Sequence, residues 1–316
     1  MPKLNRSKRG DWPDLPYDDW SETASTLHLW TQIVGKVRLS QTPWTNHSWH
    51  VPLYVTTRGL NSSPIPYGGR SFEINFDFLD HHLVIQTNHG EQRLVALEPR
   101  SVADFYSVVL DSLHELDLDI SIHTTPSEIP DAIPLELDNV HHHYDPEYAT
   151  RFWRALVQID RVFKEFRARF IGKCSPVHFF WGSFDLAVTR FSGREAPPHP
   201  GGVPNFPDWV AREAYSHEVS SAGFWPGGGG VDYAAFYSYA YPAPDGFSNT
   251  RVQPDGATWS EQLGEFLLPY HEVQTATSPD DVLLDFLQST YVAAAESGGW
   301  DRTALERDLV PVRRSG

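Results

Sequence analysis

The sequence predicts an α+β protein made of two tandem, pseudo-symmetric halves, each with a helix, an antiparallel sheet and a second helix. Three observations predict this class. Segments with helical spacing of apolar residues are separated by segments with strand-like alternation. Short turns join consecutive strand segments, which favours antiparallel pairing. A block of sequence also recurs after about 130 residues.

Each half begins with a segment in which apolar residues recur at helical spacing, and each of these segments carries a Gln-Ile pair, at Gln32-Ile33 and Gln158-Ile159. Asp145-Pro146-Glu147 supplies a cap, a first-turn proline and an acid for the second of these helices. A later helix is predicted in each half. The four helical segments are LHLWTQIVGKVRL, SVADFYSVVLDSLHEL, ALVQIDRVFKEFRARF and DDVLLDFLQSTYVAAA.

Strands are predicted where apolar and polar residues alternate and where β-branched or aromatic side chains are frequent. The clearest is FEINFDFL, in which every second residue is apolar. The other candidates are HLVIQT, EQRLVAL, LDISIHT, EAYSHEVSSAGFW, AAFYSYAY and GEFLLPY. Turns such as Asn88-His89-Gly90 join neighbouring strands.

The recurring block combines a tryptophan, a Thr-Arg pair and a Pro-Gly-Gly turn. It spans Trp49 to Gly69 in the first half and Trp181 to Gly202 in the second, and the two tryptophans are 132 residues apart. The same order of elements surrounds both copies, which favours a duplication over chance similarity between two amphipathic segments. Two equivalent sheets about a pseudo-twofold axis would leave a cleft, where ligand pockets are common.

These patterns divide the chain into four parts. Residues 1–20 are expected to be a flexible N-terminal segment, and residues 21–124 the first α+β repeat. Residues 125–144 are a linker rich in proline and acids. Residues 145–310 form the second repeat, which carries the candidate site.

Composition excludes several classes of function. The 316 residues hold 25 Lys and Arg against 41 Asp and Glu, a net charge of −16, so the phosphates of a nucleic acid would be repelled. Apolar runs do not reach the ~18 residues of a membrane span. A single cysteine excludes an intrachain disulfide. We expect a cytosolic protein that binds neither nucleic acid nor membrane; its oligomeric state is not predicted.

The two copies differ in one informative way. At the 132-residue spacing, the apolar Val51 and Leu53 of the first copy correspond to Ser183 and Asp185 of the second. A buried carboxylate needs a partner, because burying an unpaired charge is costly. Asp185 is therefore a candidate catalytic residue. The alternatives are a structural ion pair or a strand face that meets solvent.

Histidines and neighbouring polar groups complete the predicted site. Fifteen histidines are present, and histidine is both a common metal ligand and an acid–base group near neutral pH. The catalytic candidates are Asp185, His178, His217, Glu218 and Arg190. The metal-ligand candidates are His47, His50, His178, Asp185 and His217, a mixed set suited to a divalent transition metal. Ordinary hydrogen-bonded histidines remain the alternative for each.

Two further motifs allow more than one interpretation. Cys174 follows Lys173 and precedes His178, so it is either a nucleophile with a nearby base or an inert buried thiol. Gly227 to Gly230 lack the Lys-Ser/Thr of a phosphate-binding loop, so they are interpreted as a turn or lid beside an aromatic cluster.

Four long blocks resemble an uncharacterised bacterial family, described only as a domain of unknown function (type 5996). They are LHLWTQIVGKVRL, NHSWHVPLYVTTRGL, FKEFRARFIGKCSPVHFFWGSFDLAVTRFSGR and EAYSHEVSSAGFWPGG. The similarity extends from about Trp12 to Glu306. The resemblance implies one full-length unit and no known activity, cofactor or functional residue.

Two functions are compatible with these observations. The first is a small-molecule enzyme whose second half carries Asp185 and a histidine as an acid–base pair or as metal ligands. The alternative is a non-catalytic module that holds a small-molecule ligand or a protein partner in an aromatic pocket.

Overall fold

The computed structural model describes residues 6–307, which form seven α-helices and two sheets. The helices are α1 (Tyr17–Gln41), α2 (Val102–His114), α3 (Pro146–Ala168), α4 (Asp208–Ala214), α5 (Tyr270–Gln274), α6 (Pro279–Ser297) and α7 (Arg302–Leu305). Among these helices, none is both long and apolar enough to cross a membrane. The α+β class is confirmed.

Each sheet of the described chain has six strands, all paired antiparallel. The first contains β1 (Tyr54–Val55), β2 (Gly59–Asn61), β3 (Ile65–Tyr67), β4 (Arg70–Asp77), β5 (His82–Thr87) and β6 (Gln92–Ala96), in the order β1-β2-β4-β5-β6 with β3 also paired to β4. The second contains β7 (His178–Phe180), β8 (Asp185–Glu195), β9 (His217–Trp225), β10 (Ala235–Tyr241), β11 (Thr258–Ser260) and β12 (Glu265–Pro269), in the order β11-β12-β10-β9-β8-β7.

The order of elements is repeated along the chain. In each half a long helix precedes a five-stranded antiparallel meander, and a second long helix follows it; β3, α4, α5 and β11 are additions to this common plan. The two sheets meet through Leu53 and Phe179, whose backbone groups exchange two hydrogen bonds of 2.9 Å. The division into two repeats stays a prediction, which this shared order supports.

The alignment of the two copies at 132 residues is wrong in this structure. The segment from Trp49 to Gly69 contains three short strands and reverses direction between β1 and β2, whereas β8 is one strand of 11 residues. Topology equates β1 with β7 and β2 with β8, and the first residues of β2 and β8, Gly59 and Asp185, are 126 residues apart. The two Gln-Ile pairs have this same spacing. Leu53 is therefore not the counterpart of Asp185.

Helix α1 lies at the centre of the molecule. It is buried along most of its length; Trp30, for example, is inaccessible to solvent and stacks on Phe105 of α2 at 4.3 Å between ring centroids. Helix α3 begins as predicted, because the Asp145 side chain accepts hydrogen bonds from the peptide N–H groups of Glu147 and Tyr148. Burial of these helices against the sheets forms the hydrophobic core.

The second sheet has two different faces, since side chains alternate along a strand. One face of β8 points toward α3 and α6, where the guanidinium carbon of Arg190 lies 3.4 Å from the ring centre of Phe166 and 4.3 Å from that of Tyr291. The other face carries Asp185 and Ala187. It is covered by α4 and by loops, and it carries the site described below.

Several segments differ from the prediction. The stretch LDISIHT is predicted to be a strand but is not one. The other six predicted strands are present: five of them correspond to β4, β5, β6, β10 and β12, and the longer segment EAYSHEVSSAGFW contains β9. In the segment predicted to be flexible, residues 1–5 lie outside the described residues, whereas Trp12 and Leu15 are buried and α1 begins at Tyr17. Residues 308–310 of the predicted second repeat also lie outside them.

The predicted linker, residues 125–144, packs against both halves. Gln32 of α1 anchors it with two hydrogen bonds: its side-chain oxygen accepts from the Ser127 N–H at 2.7 Å, and its side-chain nitrogen donates to the Ser127 carbonyl at 2.9 Å. Leu135 and Asp138 are buried further along. This anchoring matters for the site, because it places the next residue, Glu128, above the second sheet.

Candidate functional site

A cavity of about 470 Å³ lies against the second sheet, on the face opposite α3 and α6. Its floor is made by alternate side chains of four adjacent strands, which project from the same side of a sheet. The floor residues are Asp185, Ala187, Thr189, Phe191, Val219, Ser221, Trp225, Tyr237, Tyr239 and Glu265. We call this space the aromatic cavity.

The cover of the aromatic cavity comes from α4 and from loops of both halves, including residues 127–128 of the predicted linker. Five tryptophans line the aromatic cavity, namely Trp44, Trp49, Trp181, Trp209 and Trp225. Trp44 and Trp209 are 41% and 56% exposed and contact each other with ring centroids 4.6 Å apart, so they form a rim at the surface. In all, 11 of the 30 lining residues are tryptophan, tyrosine or phenylalanine, so aromatic rings are frequent in the lining.

Asp185 is the most buried acid of the aromatic cavity, with 4% of its surface exposed. Ser183 donates a hydrogen bond to one carboxyl oxygen at 2.5 Å, and the phenol of Tyr237 donates to the other. Burial raises the pKa of Asp185 to about 6, although these two hydrogen bonds act in the opposite direction. Both carboxyl oxygens thus have a protein partner.

Two more carboxyl groups face the same space. Burial, reinforced by the charge of Asp185, raises the pKa of Glu128 to about 7 and that of Glu265 to about 8. One side-chain oxygen of Glu265 is buried and has no hydrogen-bond partner among the described residues. The three acids share one poorly solvated space, in which the charge of Asp185 makes ionisation of the two glutamates less favourable.

The hydroxyl groups of the floor are mostly paired with one another. Tyr215 and Tyr239 are joined through their phenol oxygens at 2.7 Å, and Thr189 and Ser221 through their hydroxyl oxygens at 2.8 Å. The phenol of Tyr237 is used by Asp185. The contacts that remain for a ligand are the carboxyl groups, the ring faces and the hydroxyl of Ser48, which is buried without a partner in the described chain.

Two glycines make this arrangement possible by their lack of a side chain. A β-carbon on Gly223 of β9 would collide with the phenol of Tyr237, which crosses β9 to reach Asp185. A β-carbon on Gly182 would collide with the carboxyl group of Glu128. The positions of the Asp185 and Glu128 carboxyl groups therefore depend on glycine, because only a residue without a side chain lets the Tyr237 phenol and the Glu128 carboxyl group come so close to the backbone.

His178 does not reach Asp185. It is fully buried among Trp49, Tyr54 and Phe180, and neither ring nitrogen has a hydrogen-bond partner in the described part of the chain. Burial lowers the pKa of His178 to about 3, so the ring is neutral. The predicted pairing of Asp185 with a histidine is absent, since the hydrogen-bond partners of Asp185 are Ser183 and Tyr237.

The predicted metal ligands are not assembled into a site. Within residues 6–307, no group of three or more His, Cys, Asp or Glu side chains could hold a metal ion. His47 comes near His217, at 6.1 Å between ring centroids, but its Nε2 faces the ammonium of Lys173 at 2.6 Å and its Nδ1 faces the Ala214 carbonyl oxygen at 2.9 Å. Both nitrogens are occupied.

His50 has a separate environment, because its Nδ1 accepts a hydrogen bond from the peptide N–H of Thr45 and its ring packs on Trp44. His47 and His50 therefore have different neighbours, although only two residues separate them in the sequence.

Arg190 and Glu218 lie away from Asp185. Five residues separate Asp185 from Arg190 along one strand, so the two side chains project from opposite faces. Arg190 donates to the Phe166 carbonyl on the helical side. Glu218 accepts a hydrogen bond of 2.6 Å from Arg194. The odd spacing explains why Arg190 does not join the site. Glu218 precedes Val219 of β9, which lines the floor, so its side chain projects from the opposite face.

The two remaining motifs also have defined positions. Burial raises the pKa of Cys174 to about 11, which corresponds to an unreactive thiol. Gly227 to Gly229 line a second cavity of about 550 Å³, which shares Glu128 and Trp225 with the aromatic cavity. Tyr17 packs directly on Gly227.

Of the acids that line the aromatic cavity, the sequence pointed to Asp185 but not to Glu128 or Glu265, and it did not point to the paired tyrosines. A signal existed for the tyrosines, because Tyr237 and Tyr239 alternate in AAFYSYAY. Glu265 opens a strand of otherwise apolar residues. Glu128 lies in a segment without periodicity, and only the tertiary contacts of Ser127 reveal its position.

No curated protein and no solved structure matches the chain. A family model does match it, over residues 12–307 of the 316. The full-length resemblance that the four sequence blocks predict is thereby confirmed. The description of this family assigns no activity to it. The chain belongs to the family of unknown function DUF5996.

Proposed function

We propose that the protein binds a small organic molecule in the aromatic cavity. The observation that carries this proposal is a covered space of about 470 Å³ that is rich in aromatic rings and has three carboxyl groups, two on the floor and one in the cover. Ligand sites commonly have this size range and combine mostly apolar walls with a few polar groups. The aromatic-pocket alternative is thus favoured over the acid–base or metal enzyme.

The surroundings of Asp185 support binding rather than acid–base chemistry with a histidine. Its hydrogen-bond donors are the hydroxyl of Ser183 and the phenol of Tyr237. Burial, together with the adjacent Asp185, raises the pKa of Tyr237 well above the usual value, so the phenol keeps its proton. In this proposal Asp185 is a fixed polar contact at the floor.

The rim supports entry of a ligand from solvent. Trp44 and Trp209 are partly exposed and pack on each other, and the Trp44 indole N–H donates to Glu213 of α4 at 2.5 Å. A ligand that enters beside these rings would change their environment. Tryptophan fluorescence therefore reports on binding, since five of the eleven tryptophans line the cavity.

The test uses three molecules with one carbon skeleton: 2-phenylethanol, 2-phenylethylamine and phenylacetate. We expect at least one of them to bind the wild-type protein, and Ala187→Phe to abolish that binding by filling the floor. Leu94→Phe, at an exposed position of the other sheet, is the control and is expected to bind as wild type. Thermal unfolding checks that both variants are folded.

Two results would contradict the proposal. The first is an absence of binding by all three molecules up to about 10 mM, which is weaker than most specific sites. The second is binding that persists in the folded Ala187→Phe variant, because the bound molecule would then lie elsewhere.

A further inference from the structure

We infer that the occupant of the aromatic cavity is a small organic cation, a protonated amine or a quaternary ammonium group held between ring faces and the carboxyl groups of Asp185, Glu128 and Glu265. This inference rests on the proposed function, because it names the class of ligand for the same cavity.

The charge of the walls is the first argument. None of the described residues that line the aromatic cavity is lysine or arginine. Two lysines lie behind the lining and already have partners there: Lys36 donates to the Ser127 hydroxyl at 3.2 Å, and Lys173 faces His47. Three carboxyl groups thus share the cavity without a protein cation in its lining, and a cationic ligand would provide the missing charge.

The free oxygen of Glu265 is the second argument. Glu265 lines the floor on β12, and one of its carboxyl oxygens is buried without a partner among residues 6–307. An unsatisfied buried acceptor costs free energy. A ligand ammonium group would satisfy that oxygen by donating a charge-assisted hydrogen bond, which is stronger than a neutral one.

The rings are the third argument, because a cation is attracted to the face of an aromatic ring and most strongly to tryptophan. Trp225 and Tyr237 are adjacent on the floor, with ring centroids 4.6 Å apart, and Tyr239 stacks beside Tyr237 at 6.1 Å. Asp185 lies at the edge of this group through its bond to Tyr237. Aromatic faces and negative charge therefore lie side by side.

Other classes of ligand fit less well. An anion would meet the carboxyl groups without a lysine or arginine in the described lining. A sugar needs many free hydrogen-bonding groups, yet Tyr215 is paired with Tyr239 and Thr189 with Ser221. A neutral aromatic molecule would fill the walls but leave the Glu265 oxygen unpartnered.

Binding of a cation should also release protons. Burial, with the charge of Asp185, raises the pKa of Glu128 to about 7 and that of Glu265 to about 8, so both are largely protonated near pH 6. A cation favours their ionised forms, so its affinity should rise with pH. The titratable and charged groups around them are His47, Asp185, Tyr215, Tyr237 and Tyr239 in the lining, with Lys36, Lys173 and Glu213 behind it.

The experiment compares the three phenyl compounds at about pH 7.5. We expect 2-phenylethylamine to bind about tenfold more tightly than 2-phenylethanol, and phenylacetate to bind most weakly. Glu265→Gln should remove most of the preference for the amine and leave the affinity for the alcohol nearly unchanged. Glu261→Gln, on the exposed turn before β12, is the matched control and should retain the preference.

The pH dependence is measured with benzyltrimethylammonium, whose charge does not titrate. Its affinity should increase severalfold between about pH 6 and pH 8, since the carboxyl groups of the protein ionise in that interval. Calorimetry in two buffers of different ionisation enthalpy should show protons released on binding. The increase should shrink in Glu265→Gln.

The outcomes separate the two proposals. If the alcohol or phenylacetate binds as tightly as the amine, and Ala187→Phe blocks it, the ligand site stands and the cation inference is wrong. An affinity for benzyltrimethylammonium that is constant with pH would also overturn the inference. If none of the compounds binds, the proposed function itself fails.

Discussion

Replacing Glu265 by glutamine should make the stability of the protein less sensitive to pH. Burial, with the nearby Asp185, raises the pKa of Glu265 to about 8, whereas an unfolded chain would show the ordinary value of 4.5. Between these two values the folded protein holds a proton that the unfolded chain has released. The folded state therefore loses stability as the pH rises through this interval.

The magnitude follows from linkage. One proton retained only by the folded state changes the free energy of unfolding by about 1.4 kcal/mol per pH unit. Between about pH 5.5 and pH 7.5, Glu265 alone then accounts for a loss of roughly 2–3 kcal/mol. Asp185 and Glu128, with pKa values raised to about 6 and about 7, contribute further losses mainly in the lower part of this interval.

Urea unfolding of the wild-type protein, Glu265→Gln and Glu261→Gln at three pH values in this interval measures the effect. Glu261 is exposed on the turn before β12 and serves as the matched control. We expect the wild type and the control to lose stability in parallel, and Glu265→Gln to lose roughly 2–3 kcal/mol less. Equal losses in all three proteins would refute the reasoning, because they would mean that Glu265 is ionised and hydrated inside the cavity.

Three further predictions concern other parts of the molecule. Trp30→Ala should lower the free energy of unfolding by about 3–5 kcal/mol in urea titrations, because it removes a fully buried ring stacked on Phe105. Asp145→Ala should cost about 1 kcal/mol in the same assay, since it removes the N-cap of α3, and a loss below a few tenths would contradict that role. Cys174 should react with iodoacetamide at about pH 8 much more slowly in the folded protein than in urea, because burial raises its pKa to about 11; equal rates would show an accessible thiolate.

Much of the fold was predictable because its causes are local. Helix α3 illustrates this, since apolar residues at helical spacing follow the Asp145 cap and a first-turn proline. The strands β4 and β5 alternate apolar and polar residues because one face is buried. The segment LDISIHT alternates in the same way but pairs with no strand in the described chain, because alternation does not provide a neighbouring edge with which to form hydrogen bonds.

The site was less predictable. The prediction of Asp185 rests on a 132-residue alignment, whereas the order of the strands corresponds to a spacing of 126 residues, so the comparison that points to Asp185 is not the one that the structure supports. The histidine and arginine candidates were grouped by closeness in sequence. Because side chains alternate along a strand, Arg190 instead projects from the face of the sheet opposite Asp185. His178 is enclosed among aromatic rings by the packing around it.

The sequence alone determined the fold class, the four long helices, six of the strands and the family, since periodicity, caps and long sequence blocks are properties of neighbouring residues. Only the tertiary structure decided that Glu128, Asp185 and Glu265 share one cavity. These residues lie on three separate segments, and their convergence depends on strand order and on the anchoring of Ser127 to Gln32. Burial and the charge of Asp185 raise the pKa values of the two glutamates only after that convergence, which is why the electrostatic character of the site is not visible in the sequence.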